Sequence, residues 1–229
     1  MLKDLKLVIF DLDGVLTETS EQHFLAWKAL AAKHGIILPD SFEKNLKGVS
    51  REDSLKRILA YGNKSNSIPK STFDAMMREK NTHYQSLIAN FTDRNLFHGA
   101  KSLINLLKDK GLLLALGSAS KNGPDLLKSL GIYDDFDYIV DPKGLKGKPA
   151  PDIFLEAMNH FNLAPENCIG IEDAIAGILA IKAANMTAIG IGDKKELNEA
   201  DYIFKAIDEI TESFIDRLLE GDARDLKKT

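Results

Sequence analysis

The stretch that decides the fold runs from Val8 to Phe24 and reads VIFDLDGVLTETSEQHF. It continues a short apolar segment, residues 5–10, that is typical of a buried β-strand. That segment ends in Asp11 and Asp13, which are followed by Gly14 and several hydroxyl side chains. Two aspartates in such a place can form an ordinary turn, or they can present a nucleophile at a strand end. The rest of the chain has to decide between these readings.

Beyond residue 92, strand-like apolar segments alternate with helical ones. The segments LLLALGSAS, FDYIV, CIGIED, TAIGIG and DYIF predict strands, and the segments between them predict helices. A last helix is predicted over IDEITESFIDRLLEG. Because strand and helix alternate, we expect a parallel sheet with helices on both faces, which is a doubly wound α/β fold. The strand before Asp11 belongs to the same sheet.

Residues 17–92 interrupt this alternation and show helical patterns only. We therefore predict an α/β core domain, made of residues 1–16 and 93–229, and an inserted helical cap domain at 17–92. The insertion follows the carboxyl end of a strand, which is the edge where open α/β sheets bind ligands. A helical domain in that position would serve as a lid over the site.

Composition limits the possible partners. The chain has 229 residues, 44% of them hydrophobic, and a net charge of −4. This charge offers no basic surface for nucleic acid, and no apolar run approaches the roughly 20 residues that span a bilayer. The first residues turn acidic too early for a signal peptide, and the single cysteine, Cys168, fits a reducing compartment. We expect a cytoplasmic monomer that binds neither nucleic acid nor membrane.

Further polar residues follow other predicted strands. Ser118 follows the second strand, Glu172 and Asp173 close the fourth, and Lys148 lies in the loop KGKPAPD. The carboxyl ends of parallel strands lie at one edge, so these groups should meet the aspartates there. A carboxylate nucleophile, a hydroxyl, a lysine and Mg²⁺-binding acids are the groups that phosphoryl transfer requires. Singly, these residues have simpler explanations as a helix cap, a surface lysine or helix N-terminal acids, but their coincidence at one edge favours phosphoryl transfer.

Four segments resemble the motifs of the haloacid dehalogenase-like superfamily. They are DLDGVLT, LGSAS, the lysine of KGKPAPD, and GIEDA, in that order. The longer stretches LTETSEQHFLAWKAL, LKGVSREDSLKRIL, GSASKNGP and GIEDAIAGI are similar to those of sugar phosphomutases within that superfamily. The resemblance implies a Rossmann-like core with a helical cap, one Mg²⁺ per subunit and a small sugar-phosphate substrate.

The resemblance also implies roles for the core residues. Asp11 would be the nucleophile that carries the phosphoryl group, and Asp13 would be the general acid and base. Asp11, the backbone carbonyl of Asp13, Glu172 and Asp173 would hold Mg²⁺. The transferring phosphate would be bound by Ser118 and Lys148. The second phosphate of the substrate would be bound by Ser120, Lys121 and Asn122, and Ala119, between Ser118 and Ser120, would also contact the substrate.

The cap would supply the remaining substrate contacts. The resemblance implies that Arg51 binds the phosphate that does not react, although without the resemblance a helix-surface arginine is the favoured reading. The other implied cap and hinge residues are Thr19, His23, Trp27, Gly48, Val49, Ser50, Ser54 and Lys80, and Asn81 is expected near the sugar.

Three functions remain open on the sequence. The favoured one is a phosphomutase that works through an aspartyl phosphate and a sugar bisphosphate. The second is a sugar-phosphate phosphatase on the same fold, and the third is a binding protein without catalysis, against which every motif position is filled. Dehalogenation is disfavoured, because Glu172 and Asp173 would have no use in it.

Overall fold

The structure is a computed structural model that describes residues 2, 4–65 and 68–221. Its centre is one six-stranded sheet in which every strand is parallel to its neighbours. The strands are β1 (Leu7–Phe10), β2 (Leu113–Leu116), β3 (Tyr138–Ile139), β4 (Cys168–Glu172), β5 (Thr187–Ile191) and β6 (Tyr202–Phe204). They are arranged in the order β3-β2-β1-β4-β5-β6. The predicted parallel sheet is confirmed, with β1 at its centre between β2 and β4.

Helices fill the connections between the strands. Three form the helical segment inserted between β1 and α4: α1 (Ser20–Lys33), α2 (Arg51–Tyr61) and α3 (Lys70–Leu87). The later helices are α4 (Ala100–Asp109), α5 (Gly123–Ser129), α6 (Asp152–His160), α7 (Ile175–Ala183) and α8 (Glu212–Leu219). No helix in the described part of the chain is long and apolar enough to cross a lipid bilayer.

The sheet is buried on both faces, as β1 shows. Val8 and Phe10 point into one apolar cluster, which also contains side chains of α4, α5 and α8. Leu7 and Ile9 point into a second cluster on the opposite face, formed with α6 and α7. Successive strand residues face opposite sides of a sheet, so a continuous apolar run is what a strand covered on both faces requires. The doubly wound fold class is confirmed.

The helices α1, α2 and α3 form an apolar cluster of their own. It contains Trp27 from α1, Leu55 from α2 and Met76 from α3. The chain enters and leaves this segment side by side: the Thr17 hydroxyl donates to the Asn95 carbonyl at 2.6 Å, and Phe97 N–H donates to Leu16 O at 2.9 Å. The helical segment is thus joined to the sheet by two connecting segments that lie side by side.

Two predicted elements differ from the structure. The final helix does not begin near residue 207: Ile207–Glu209 is one 3₁₀ turn, Ile210 is extended, and α8 starts only where the Thr211 hydroxyl accepts a hydrogen bond from Phe214 N–H. Thr211 is the N-terminal cap of α8, and its extended backbone prevents the helix from starting earlier. The strand predicted over FDYIV has only two paired residues, since β3 lies at the edge of the sheet and pairs with β2 alone.

Candidate active site

Three neighbouring strands end at the same edge and deliver the candidate residues. Asp11 directly follows β1, and its N–H continues the sheet by donating to Ile171 O on β4 at 3.0 Å. Ser118 lies two residues beyond β2, and Glu172 is the last residue of β4. Asp11, Ser118 and Glu172 are far apart in the sequence but close in space, because β2, β1 and β4 are adjacent in the sheet.

Lys148 bridges the two innermost carboxylates. Its Nζ lies 2.6 Å from Asp11 Oδ1 and 2.7 Å from Glu172 Oε1, and all three residues are buried. Burial raises the pKa of Asp11 well above its usual value, and the charge of Lys148 opposes that rise. Lys143 and Lys146, the other lysines of this loop, are exposed, so the structure brings Lys148 alone among the three to the acids.

Asp11, Glu172 and Asp173 form a cluster of oxygen ligands. One carboxylate oxygen from each lies within 4.8 Å of the others. The second oxygen of Glu172 accepts hydrogen bonds from the N–H groups of Asp173 and Ala174, at 2.7 and 2.8 Å. Mg²⁺ prefers such hard oxygen ligands, so this donor set fits the ion that the sequence predicts.

Glycines form close walls around these acids. A Cβ on Gly14, whose φ is +84°, would lie 1.9 Å from Asp173 Oδ2, and a Cβ on Gly177 would lie 1.8 Å from Glu172 Oε1. Any side chain at either position would collide with a carboxylate. The backbone at Gly14 and Gly177 therefore packs directly against the Asp173 and Glu172 carboxylates.

Asp13 has a different environment from Asp11. The Thr19 hydroxyl donates a short hydrogen bond to its Oδ1, and His23 Nε2 lies 3.8 Å from its Oδ2. Burial raises the pKa of Asp13 to about 6, while the Thr19 hydrogen bond lowers it. A carboxyl group that titrates near neutral pH is suited to giving and taking protons.

His23 and Lys80 pack together beside Asp13. Lys80 Nζ lies 2.5 Å from His23 Nδ1 and over the rings of Trp27 and Tyr84, at 4.9 and 4.8 Å from their centroids. Burial, with the charge of Arg51, lowers the pKa of Lys80 to about 7. Burial and the neighbouring Lys80 keep the pKa of His23 well below its usual value, which favours the neutral imidazole.

The loop after β2 is held by its own hydroxyl groups. Ser118 Oγ accepts from Ser120 N–H at 3.1 Å, and Ser120 Oγ accepts from Asn122 N–H at 3.3 Å. Asn122 does not line the cavity described below; its amide is hydrogen-bonded to Asn81 and Gln85 on α3. Asn81, which the resemblance places near the sugar, contacts this loop.

A cavity lies between the strand ends and the helical segment. It holds about 750 Å³ of empty space, a volume that includes its open mouth. Of the predicted site residues, the following line it: Asp11, Asp13, His23, Trp27, Gly48, Val49, Arg51, Ser54, Lys80, Ser118, Ala119, Ser120 and Lys121. The others, Thr19, Ser50, Asn122, Lys148, Glu172 and Asp173, lie outside this lining.

Arg51 is available to bind an anion. It lines the cavity, and no carboxylate among the described residues pairs with its guanidinium. Ser50 has a structural role beside it: its hydroxyl caps α2 by accepting from Asp53 N–H at 3.1 Å. Burial of an arginine without an acidic partner favours a ligand with negative charge.

The sequence reasoning missed some lining residues, of which Lys47 is the most informative. Its Nζ lies 2.6 Å from Asp173 Oδ2, so it links the helical segment to the acidic cluster. The other missed lining residues are Ser20, Phe24, Glu43 and Leu46. Lys47 directly precedes Gly48 in the quoted segment LKGVSRED, and this adjacency was the available signal.

Comparison with known proteins agrees with this geometry. The sequence model of one protein family, the haloacid dehalogenase-like hydrolases, matches residues 5–185 of this chain. The chain belongs to this haloacid dehalogenase-like family. Within it, the chain is 43% identical over 208 residues to the β-phosphoglucomutase of Bacillus subtilis (strain 168), covering 90% of this chain and 92% of that protein.

Solved structures and other family members extend the comparison. A crystal structure of β-phosphoglucomutase from Clostridium difficile matches with a TM-score of 0.92 and 41% identity, covering 95% of this chain and 98% of that one. A phosphorylated carbohydrates phosphatase of Thermotoga maritima is 26% identical over 207 residues, covering 87% of this chain and 93% of that protein. Haloacid dehalogenase-like relatives of this chain thus include both mutases and phosphatases.

Proposed function

We propose that this chain is a β-phosphoglucomutase, which interconverts β-D-glucose 1-phosphate and glucose 6-phosphate through an aspartyl phosphate and glucose 1,6-bisphosphate. The observation that carries the proposal is the cavity itself. Its lining includes Asp11 and Asp13 and also Arg51 and Lys121, and Arg51 has no carboxylate partner among the described residues. A substrate that carries two phosphates in its intermediate needs two such binding regions. The 43% identity to a β-phosphoglucomutase over nearly the whole chain supports the same activity.

Asp11 is the proposed nucleophile. Its Oδ1 is bonded to Lys148, whereas no described residue donates a hydrogen bond to its Oδ2. We assign the attack on phosphorus to Oδ2, which forms an acyl phosphate as the sugar oxygen departs. Lys148 remains beside the reacting group, where its charge stabilises the phosphoryl oxygens together with Ser118. Bound to Asp11, Glu172, Asp173 and the Asp13 carbonyl, Mg²⁺ would add positive charge against the same oxygens.

Asp13 is the proposed acid and base. A sugar hydroxyl that attacks the phosphorylated Asp11 must lose a proton, and Asp13 takes it when ionised. In the reverse direction the same group returns the proton to the departing oxygen. Its pKa of about 6 leaves both forms accessible near neutral pH. Thr19 holds the carboxyl group in place through Oδ1.

The helical segment is the proposed cap domain, residues 17–92, and the rest of the chain is the core. A mutase must hold the acyl phosphate until a sugar arrives and must keep water out. The cap supplies Arg51, which with Ser120, Lys121 and Asn122 forms the proposed site for the non-reacting phosphate. The cap also carries Trp27, Val49 and Ser54, which line the cavity around the sugar position.

We also propose a cytoplasmic monomer with a small sugar phosphate as its ligand. The single cysteine, Cys168, is buried, and burial raises its pKa, so the thiol is unreactive. Mass measurement of the purified protein tests the oligomeric state directly.

One assay separates the mutase from a phosphatase. Purified protein is given β-glucose 1-phosphate, Mg²⁺ and a glucose 1,6-bisphosphate primer, and both glucose 6-phosphate and free phosphate are measured. We expect glucose 6-phosphate to form with little phosphate release. Stoichiometric release of phosphate would identify a phosphatase instead. The Asp11→Asn variant keeps the side-chain shape and should lose all turnover; retained turnover would contradict the assignment of the nucleophile.

A further inference from the structure

A cluster of three amide side chains joins the cap to the core. Asn122 Nδ2 donates to Asn81 Oδ1 at 2.9 Å, and Gln85 Nε2 donates to Asn122 Oδ1 at 3.3 Å. Asn81 and Gln85 are one helical turn apart, so they lie on the same face of α3. Asn122 is only 5% exposed. We call these three residues the amide cluster.

The amide cluster fixes the orientation of the Asn122 side chain. Its oxygen is used by Gln85, and one of its two N–H bonds is used by Asn81. An asparagine amide has two donors, so one N–H remains for another acceptor. If the Asn122 amide turned over while Asn81 and Gln85 kept their orientation, its NH₂ group would face the Gln85 donor and its oxygen would face the Asn81 oxygen, and both hydrogen bonds would be lost. The helical cap therefore determines which atoms Asn122 offers.

The cluster is continuous with the loop after β2. Asn122 N–H donates to Ser120 Oγ, and Ser120 N–H donates to Ser118 Oγ. A chain of hydrogen bonds thus runs from Ser118, beside Asp11, to helix α3. A loop held at both ends is preorganised for an anion, whereas a free loop must be ordered when the ligand binds.

We propose that Asn81 and Gln85 are positioning residues for the site of the non-reacting phosphate, and that they act through Asn122. This inference rests on the proposed function. When the cap closes, the amide cluster forms and leaves one N–H of Asn122 for the non-reacting phosphate. Closing of the cap and completion of the site for the non-reacting phosphate are then one event. The sugar bisphosphate is thereby held with one phosphate in that site and the other phosphate within reach of Asp11.

The other contacts between cap and core differ in kind. Lys47 pairs with Asp173 at 2.6 Å and thus acts at the acidic cluster. Ser50 and Asp53 lie against the loop that carries Lys148, where a Cβ on Gly147 would lie 3.1 Å from each of them. Among the contacts described, the amide cluster alone joins the cap to the loop of residues 118–122, so its removal should affect the distal phosphate and leave the nucleophile intact.

The test is a double-mutant cycle between Asn81 and Asn122. The variants are Asn81→Leu, which keeps the size and removes the acceptor, Asn122→Ala, and both together. Loss of one neutral hydrogen bond corresponds to about a five- to tenfold effect. We expect Asn81→Leu to raise KM for β-glucose 1-phosphate by that factor and to raise the ratio of free phosphate to glucose 6-phosphate. Phosphorylation of Asp11 by acetyl phosphate should stay within about twofold of wild type.

The double variant decides the route of the effect. If Asn81 acts through Asn122, adding Asn81→Leu to Asn122→Ala changes KM no further. Adding Gln85→Ala to Asn122→Ala should likewise leave KM unchanged. If the two effects multiply, Asn81 acts on the sugar directly and the inference is wrong. A KM for Asn81→Leu equal to that of wild type also overturns it.

Two controls keep the result interpretable. Thr82→Ala changes a neighbouring exposed residue on α3, whose hydroxyl bonds only Arg78 O within the same helix, and it should leave KM and the product ratio unchanged. Thermal unfolding of each variant shows whether α3 is intact. Wild-type protein that releases phosphate and forms no glucose 6-phosphate refutes the proposed function, and this result is visible before any variant is compared; the cycle can then still be read from KM for phosphate release.

Discussion

Replacing Lys148 by methionine should reveal how far one cation supports the buried acids. The Lys148 side chain is 1% exposed and lies between Asp11 and Glu172, at 2.6 and 2.7 Å. The variant keeps the approximate length of the side chain and removes the charge. Asp11 and Glu172 then face each other without a partner, and breaking a buried ion pair by removing one side is strongly destabilising.

The size of the loss follows from the simplest way in which the protein can relieve it. Asp11 can bind a proton, and for an aspartate of ordinary pKa this costs about 4 kcal/mol at pH 7 and about 1.5 kcal/mol at pH 5. We therefore expect Lys148→Met to lower the free energy of unfolding by up to about 4 kcal/mol at pH 7 and by much less at pH 5. Without Lys148, the folded-state pKa of Asp11 rises further above its unfolded value, because the lysine charge no longer opposes the effect of burial. The contribution of Asp11 to the stability of the variant is therefore fully present at low pH and is lost as the pH rises through the folded-state pKa.

The assay is urea unfolding followed by circular dichroism at pH 5, 6 and 7, in buffer with a chelator. Lys182→Met is the matched control, because Lys182 pairs with Asp201 at 2.7 Å in a half-exposed position. That surface pair should contribute no more than about 1 kcal/mol. A loss for Lys148→Met that is the same at all three pH values, or that equals the control, would refute the view that Lys148 balances the buried acids. Added Mg²⁺ should recover part of the stability, since it supplies charge to the same carboxylates.

Three further results are expected. Gly177→Ala should destabilise the protein by about 1–3 kcal/mol, because its Cβ would overlap the Glu172 carboxylate, and it should weaken Mg²⁺ binding in calorimetry; unchanged affinity would contradict the close wall. Thr19→Val removes the hydrogen bond that lowers the pKa of Asp13, so the acidic limb of the kcat/KM profile should move from near pH 6 to higher pH, and a limb that stays in place would argue against Asp13 as the base. Arg51→Ala should reduce mutase kcat/KM by roughly ten- to a hundredfold, the value of a charged hydrogen bond, while phosphorylation of Asp11 by a small donor is nearly unchanged; equal losses in both would make Arg51 structural.

Much of the core could be predicted because strand direction determines where side chains meet. The carboxyl ends of β1, β2 and β4 lie at one edge of a parallel sheet, so the sequence predicts that Asp11, Ser118 and Glu172 lie together. The choice of Lys148 among three nearby lysines depended on the motif resemblance, and the structure alone shows that it is buried.

The contacts between cap and core could not be predicted in the same way. Lys47 pairs with Asp173, and Asn122 bonds Asn81, across 126 and 41 positions of sequence. Neither pair has a periodicity or spacing that would reveal it, because such contacts depend on how one packed unit rests on another. The late start of α8 was missed for a local reason: the apolar pattern continues through Ile207 and Ile210, while the cap at Thr211 sets the true boundary.

The paired crossings at Thr17 and Leu96 have a consequence for how this chain can change over evolutionary time. The two ends of the helical segment lie side by side, so the segment is a cassette, meaning a unit that can be replaced as a whole. Any module with equally close ends could take its place without a change in the strand order of the sheet. The floor of the site has no such freedom, since Gly14 and Gly177 leave no space for even a methyl group. New acceptors would therefore be acquired through changes in the cassette, with the inherited phosphoryl chemistry left in place beneath it.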